Sequence, residues 1–138
     1  MDGGSGRSPQ GTDAASWSGT VLVVDDDKAV RKLSAAFAQR LGFQVIEAAD
    51  GEAALRLFEK QADQIACVLL DLTMPRMDGV TAFQEMKRLC PDVKVILCSG
   101  YSEQDASQRF AAQGLAGFIQ KPYRLEELRE AMKRALGM

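Results

Sequence analysis

The sequence predicts an α/β fold in which a parallel β-sheet carries helices on both faces. Short, largely apolar and β-branched runs alternate five times with longer segments of helical period. Each connection between successive parallel strands has to cross a face of the sheet, which places the helices there. With 46% hydrophobic and 26% charged residues, the composition is that of a globular domain with a real core.

The five strands and five helices follow one another in strict alternation. The predicted strands cover residues 20–24, 43–48, 65–70, 93–98 and 117–119. The predicted helices cover residues 27–41, 50–61, 80–89, 103–113 and 124–136. Residues 1–19 are rich in Gly and Ser with few large apolar side chains, which predicts a disordered linker or an added tail before a single domain over 20–138.

The first two helices illustrate how the pattern predicts packing. Asp27 and Asp50 precede them and are suitable N-caps. The apolar face expected for the first helix consists of Val30, Leu33, Phe37 and Leu41. Ala54, Leu55 and Phe58 are expected to face inward from the second.

Charge and residue types exclude several classes of function. A net charge of -2 argues against nucleic acid or an anionic membrane as a partner. No apolar run approaches the roughly 20 residues needed to cross a bilayer. Histidine is absent, so any imidazole chemistry has to come from a partner. The three cysteines lack metal-like spacing and are read as small apolar residues in a reducing cytoplasm.

Polar residues that carry chemistry cluster just after the predicted strands. In an open α/β sheet, ligands bind beyond the carboxyl ends of the strands. The residues that follow those ends are Asp25, Asp26 and Asp27 after the first strand, Asp71 after the third, Ser99 after the fourth, and Lys121 with Pro122 after the fifth. Helix capping is enough to explain Asp27. Asp71, by contrast, follows so apolar a strand that its charge needs a partner.

This set of groups favours phosphoryl transfer onto a carboxylate. If the first and third strands are neighbours, Asp25, Asp26 and Asp71 crowd together and need a compensating cation. Oxygen ligands without His or Cys favour a hard ion, and Mg²⁺ fits because it binds few carboxylates and keeps water and phosphate ligands. Lys121 and Ser99 supply an ammonium and a hydroxyl for phosphoryl oxygens.

Four segments resemble the receiver domains of response regulators in two-component signalling. They are VLVVDDD (21–27), VLLDLTMPRMDG (68–79), VILCSGY (95–101) and GFIQKPY (117–123). Together they make the resemblance extend over about residues 20–137. It implies a three-layer, flavodoxin-like (βα)5 sandwich with strand order 2-1-3-4-5.

The resemblance also implies a role for individual residues. Asp71 would accept the phosphoryl group, and Asp25, Asp26 and the backbone carbonyl of Thr73 would hold Mg²⁺ together with it. Lys121 would bind phosphoryl oxygens through a loop with a cis Lys121–Pro122 bond. Ser99 and Phe118 would form the switch that alters the face of the fourth helix, fifth strand and fifth helix. A homodimer, if formed, would use the same face.

Partners and setting follow from the same resemblance. The phosphoryl donor would be a histidine kinase or a histidine phosphotransfer protein in the cytoplasm. Residues 99–128 are similar to the C-terminal receivers of hybrid sensor histidine kinases, which implies such a parent polypeptide. The domain would promote its own phosphorylation and dephosphorylation without a kinase core of its own.

Other interpretations remain open at this point. A stand-alone, single-domain regulator shares the same motifs. A phosphorylation-independent pseudo-receiver would keep the fold and fail to bind Mg²⁺ or beryllofluoride. A haloacid-dehalogenase-type hydrolase would use Asp25 and Asp27, but that leaves Asp71 unexplained. A dinucleotide-binding fragment is disfavoured because the loop after the first strand is acidic and not glycine-rich.

Overall fold

The computed structural model describes residues 19–71, 79–99 and 114–137. The strands are β1 Thr20–Val24, β2 Gln44–Ala48, β3 Ile65–Asp71, β4 Val95–Ser99 and β5 Gly117–Gln120. The helices are α1 Lys28–Arg40, α2 Gly51–Gln61, α3 Gly79–Leu89 and α4 Leu125–Leu136, with a 3-10 turn at Ala62–Gln64. The helix expected over 103–113 and the tail over 1–18 lie outside the described residues.

The strands form one parallel sheet in the order β2-β1-β3-β4-β5. All four pairings are parallel, with β1 between β2 and β3 and with β4 between β3 and β5. The predicted fold class and strand order are therefore confirmed. Because the strands are parallel, their carboxyl ends share one edge of the sheet.

The core consists of two apolar layers, one on each face of the sheet. Alternate residues of a strand point to opposite faces. On β3, Val68 and Leu70 therefore enter the layer covered by α2 and α3, whereas Cys67 and Leu69 enter the layer covered by α1 and α4. Both layers are buried, which accounts for the nearly continuous apolar character of β1 and β3.

Side-chain capping explains where the first two helices begin. The Asp27 carboxylate accepts hydrogen bonds from the Ala29 and Val30 amides, and the Asp50 carboxylate accepts one from Ala53. Both predicted N-caps are thus confirmed.

The predicted apolar face of α1 is wrong at one position. Leu33 is 52% exposed, whereas the buried residues of the helix are Ser34, Ala35 and Ala38. Small side chains allow a helix to approach the sheet closely, so the contact line of α1 runs along the alanines. Leu33 consequently lies on the flank of the helix.

Two strands that lead to the site end one residue later than the sequence predicts. The sequence predicts that β3 stops at Leu70, but the ladder continues so that Asp71 pairs with Cys98. The fourth strand, predicted over 93–98, spans Val95–Ser99. Asp71 and Ser99 therefore occupy the last ladder positions of their strands.

Candidate functional site

Asp25 leaves the end of β1 as a buried carboxylate with fixed hydrogen bonds. Its relative exposure is only 4%. Its Oδ1 accepts a hydrogen bond from the Asp27 amide at 2.9 Å, and its own amide donates to the Ala48 carbonyl at 3.2 Å. These bonds hold the turn between β1 and α1 against the end of β2.

Lys121 joins the carboxyl ends of three strands. Its Nζ lies 2.7 Å from Oδ2 of Asp25 and 3.1 Å from Oδ1 of Asp71. Asp25 follows β1, Asp71 ends β3 and Lys121 comes directly after β5. The two of them that are nearest in sequence, Asp25 and Asp71, are 46 residues apart. The structure therefore brings together the acids and the lysine that the sequence placed at one edge.

Asp26 completes a group of three carboxylates. One oxygen from each of Asp25, Asp26 and Asp71 lies within 4.8 Å of the others. Asp26 is exposed, whereas the other two are buried. The cluster therefore has a solvent-facing side at Asp26 and a buried side at Asp25 and Asp71, which the half-buried Lys121 contacts.

Burial and charge shift the protonation of this group. Burial raises the pKa of Asp71 above its usual value, and the charges of Asp25 and Asp26 add to the effect while Lys121 opposes it. Burial alone would lower the pKa of Lys121, but its hydrogen bonds to Asp25 and Asp71 and their charges raise it overall. Lys121 therefore stays protonated and compensates only part of the negative charge.

The donor set fits a hard divalent cation. Three carboxylates meet with no sulfur or nitrogen ligand among them, which is the chemistry that Mg²⁺ favours. Among the described residues, the Lys121 ammonium is the cation that forms ion pairs with these acids, so part of their negative charge is left for a bound cation to neutralise.

Arg31 is a neighbour of the site that the sequence pattern did not reveal. Its Nη1 donates to the backbone carbonyl of Asp25 at 2.9 Å, and its Nε donates to Glu47 at 3.1 Å. Helical side chains tilt toward the N-terminus, so an arginine one turn after the Asp27 cap reaches back over the loop. The position of Arg31 one turn after the N-cap was therefore the sequence signal from which this contact could have been predicted.

A second missed contact supports the loop that carries Lys121. The hydroxyl groups of Ser34 and Tyr123 are hydrogen-bonded, and the ring of Tyr123 packs against Phe37 at a centroid distance of 6.1 Å. The contact ties α1 to the segment after β5. The Lys121–Pro122 peptide bond within that segment is cis, in agreement with the expectation.

The remaining predicted site residues are less fully described. Ser99 pairs with Gln120 at the end of β4, but its side chain lies outside the described part. Thr73 lies outside the described residues altogether. Phe118 is partly buried against the core layer of α2 and α3. The roles of these three residues stay predictions.

A family model gives independent information about the chain. The model described as the response regulator receiver domain matches residues 21–133. That match spans β1 to α4 and includes every candidate site residue named above.

Two curated proteins are similar to this chain over most of its length. The sensor kinase CckA of Brucella abortus is 38% identical over 121 residues, which are 88% of this chain and 13% of that protein. The sporulation initiation phosphotransferase F of Bacillus subtilis is 33% identical over 116 residues, which are 84% of this chain and 92% of that protein. The chain thus spans a small part of the first relative and nearly all of the second.

A solved complex shows a similar fold. CheY in the CheX–CheY–BeF3–Mg²⁺ complex from Borrelia burgdorferi superimposes with a TM-score of 0.78 at 30% identity. The match covers 83% of this chain and 86% of that chain.

Proposed function

The chain belongs to the response regulator receiver domain family of two-component signalling, and from this premise we propose that Asp71 accepts a phosphoryl group from a phosphohistidine of a partner protein. The observation that carries the proposal is the placement of Lys121 between Asp25 and Asp71 at the shared edge of the sheet. Histidine is absent from this chain, so the donor imidazole comes from a histidine kinase or a histidine phosphotransfer protein.

In the proposed reaction, a carboxylate oxygen of Asp71 attacks phosphorus while the bond to the imidazole nitrogen breaks. The products are an acyl phosphate on Asp71 and a free histidine on the partner. Lys121 is positioned to bind a phosphoryl oxygen because its Nζ already lies 3.1 Å from Asp71. The Ser99 hydroxyl is assigned to a second phosphoryl oxygen.

Asp25, Asp26, Asp71 and the carbonyl of Thr73 are the residues proposed to hold Mg²⁺. When bound, the cation supplies charge neutralisation for the phosphoryl oxygens. The meeting of three carboxylates supports this assignment, and so does the similarity to CheY in a complex with BeF3 and Mg²⁺. Of the three carboxylates, Asp26 is the exposed one, and Asp25 divides its oxygens between Lys121 and the Asp27 amide.

The proposed output is a change at the face that contains β5 and α4. Movement of Ser99 toward the phosphoryl group would let Phe118 turn inward from its partly buried position. The same face, with the helix expected over 103–113, is the proposed homodimer surface. Size-exclusion chromatography with light scattering, with and without beryllofluoride, tests for a dimer.

For the parent molecule, we favour a cytoplasmic hybrid sensor histidine kinase with residues 1–19 as a linker and 20–138 as the receiver. The similarity to 13% of a sensor kinase supports it, whereas the near-complete coverage of a sporulation phosphotransferase supports a stand-alone regulator. None of the helices in the described ranges is long and apolar enough to cross a membrane. A kinase core encoded upstream in the same reading frame would identify the parent molecule as a hybrid kinase and exclude a stand-alone regulator.

The central test is intact-mass analysis after incubation with acetyl phosphate. The parent chain is expected to gain one phosphoryl group in the presence of Mg²⁺ and none in its absence. Asp71→Asn is expected to abolish the gain, whereas Asp63→Asn, an exposed acid in the 3-10 turn, should leave it intact. Labelling of a folded Asp71→Asn protein at another aspartate would refute the assignment.

A further inference from the structure

We propose that Arg31 is a positioning residue that fixes the peptide between Asp25 and Asp26 and thereby directs Asp26 toward the cation. The inference rests on the proposed function because it concerns the Mg²⁺ site. It assigns a role in cation binding to a residue that is neither a ligand nor a phosphoryl contact.

The guanidinium of Arg31 bridges two parts of the chain. Nη1 donates to the Asp25 carbonyl at 2.9 Å, while Nε donates to Oε1 of Glu47 on β2 at 3.1 Å. The Arg31 side chain is only 15% exposed, so it is held between these partners and not solvated freely. A planar fork can serve both acceptors at once, which a lysine cannot do in the same way.

The hydrogen bond from Arg31 to the Asp25 carbonyl fixes the position of the Asp26 backbone. A peptide unit is planar, so fixing the carbonyl of Asp25 also fixes the amide of Asp26. Asp25 itself is held by its amide on Ala48 and by its carboxylate on the Asp27 amide and Lys121. Among the described residues, none forms a hydrogen bond or ion pair with the Asp26 carboxylate, and in this proposal the backbone that Arg31 holds sets its direction.

Charge and positioning make opposite predictions for removal of Arg31. Arg31 is a cation close to the acidic cluster, so by Coulomb's law its loss should strengthen the binding of a divalent cation. Loss of a positioning contact should weaken that binding, because the ligand geometry is no longer prepared. The sign of the change in Mg²⁺ affinity therefore separates the two roles.

Lys32 provides a matched control. Its Nζ lies 3.1 Å from Oε2 of the same Glu47, and its side chain is 58% exposed. Lys32→Gln removes the same charge, from the adjacent residue, and breaks an ion pair to the same carboxylate. It leaves the Arg31 contact with the Asp25 carbonyl in place.

The experiment is calorimetric titration of the full chain with Mg²⁺ alone. We expect Arg31→Gln to weaken Mg²⁺ binding about tenfold, as observed for residues that orient metal ligands. Lys32→Gln should stay within about twofold of the parent or bind slightly more tightly. Arg31→Lys keeps the charge but not the fork and should fall between Arg31→Gln and the parent.

A second readout follows the loop itself. Without Mg²⁺, the backbone amide resonances of Asp26 and Asp27 should shift in both Arg31 variants and remain unchanged in Lys32→Gln. A thermal melt reports folding, and Arg31→Lys carries the test if Arg31→Gln does not fold.

Two results would overturn the role of Arg31 and leave the proposed function intact. In the first, Arg31→Gln binds Mg²⁺ at least as tightly as the unsubstituted chain. In the second, Arg31→Lys matches the unsubstituted chain in Mg²⁺ affinity and in its amide resonances. A folded parent chain that binds no Mg²⁺ overturns both the proposed function and this inference.

Discussion

The middle of β3 and its last residue are both buried, yet they contribute to stability with opposite sign. Leu69 and Leu70 are 2% and 0% exposed and lie in the two apolar layers, whereas Asp71 is 7% exposed beside two other acids. Burial stabilises the leucines and raises the pKa of the aspartate, which means that it disfavours the charged form. The sheet therefore holds its acidic edge in place at a cost in free energy.

This contrast is what the proposed function requires, because a site that holds a cation and a phosphoryl group keeps its acids together at the expense of stability. Lys121 relieves part of the cost through its contacts with Asp25 and Asp71. The apolar layers supply the stability against which the remaining repulsion is tolerated.

The largest effect is expected in the apolar layers. Phe58 is 1% exposed on the inner face of α2, so Phe58→Ala removes a large buried side chain and leaves a cavity. We expect the free energy of unfolding to fall by about 3–5 kcal/mol in urea denaturation. Glu59→Ala, at the exposed neighbouring position, is the control. A similar loss for both variants would contradict the assigned orientation of α2.

The acidic edge should respond in the opposite direction. In Mg²⁺-free buffer at pH 7, Asp71→Asn is expected to increase the free energy of unfolding by about 1–2 kcal/mol, since it removes a buried charge that Asp25 and Asp26 repel, while Lys121 keeps its ion pair with Asp25. A destabilised Asp71→Asn protein would show that Lys121 compensates the charge fully.

The pH dependence of the stability difference between Asp71→Asn and the unsubstituted chain is the control for this prediction. The folded-state pKa of Asp71 is raised, so the folded state binds the proton more tightly than the unfolded state. Stability linked to this proton is present below the ordinary pKa of 3.8 and is lost as the pH rises through the folded pKa. The advantage of Asp71→Asn should consequently shrink as the pH falls toward 3.8, which denaturation at several pH values measures.

A smaller effect is expected where the loop after β5 joins α1. Tyr123→Phe removes the hydrogen bond to the buried Ser34 hydroxyl while keeping the ring against Phe37. We expect a loss of about 1 kcal/mol in unfolding free energy. The double variant with Ser34→Ala should lose little more, because both ends of one bond are then absent. Additive losses would mean that the two hydroxyl groups act independently.

The smallest effect is expected at the surface of α3. Arg88 forms an exposed ion pair with Glu85 at 2.7 Å. Pairs of this kind contribute little because water and salt screen them. Arg88→Gln should leave the urea midpoint unchanged within error, and a clear shift would show that surface charge matters more here than burial does.

Much of the fold was predictable because its signals are local. Apolar runs separated by turns predicted all five strands, and Asp27 and Asp50 predicted the beginnings of two helices. Leu33 was assigned wrongly because periodicity identifies a broad apolar arc but not the line along which small residues approach the sheet. The end of β3 was missed by one residue because a polar side chain at a strand end does not prevent ladder pairing.

By itself, the sequence determined the order of the elements and the edge at which the acids and Lys121 emerge, because strand period and parallel topology fix both. Only the tertiary structure decided that Lys121 bridges Asp25 and Asp71, that Arg31 holds the Asp25 carbonyl and that Tyr123 bonds to Ser34. Those contacts depend on how distant segments pack in three dimensions, and differences of an ångström in that packing leave no periodic trace in the sequence.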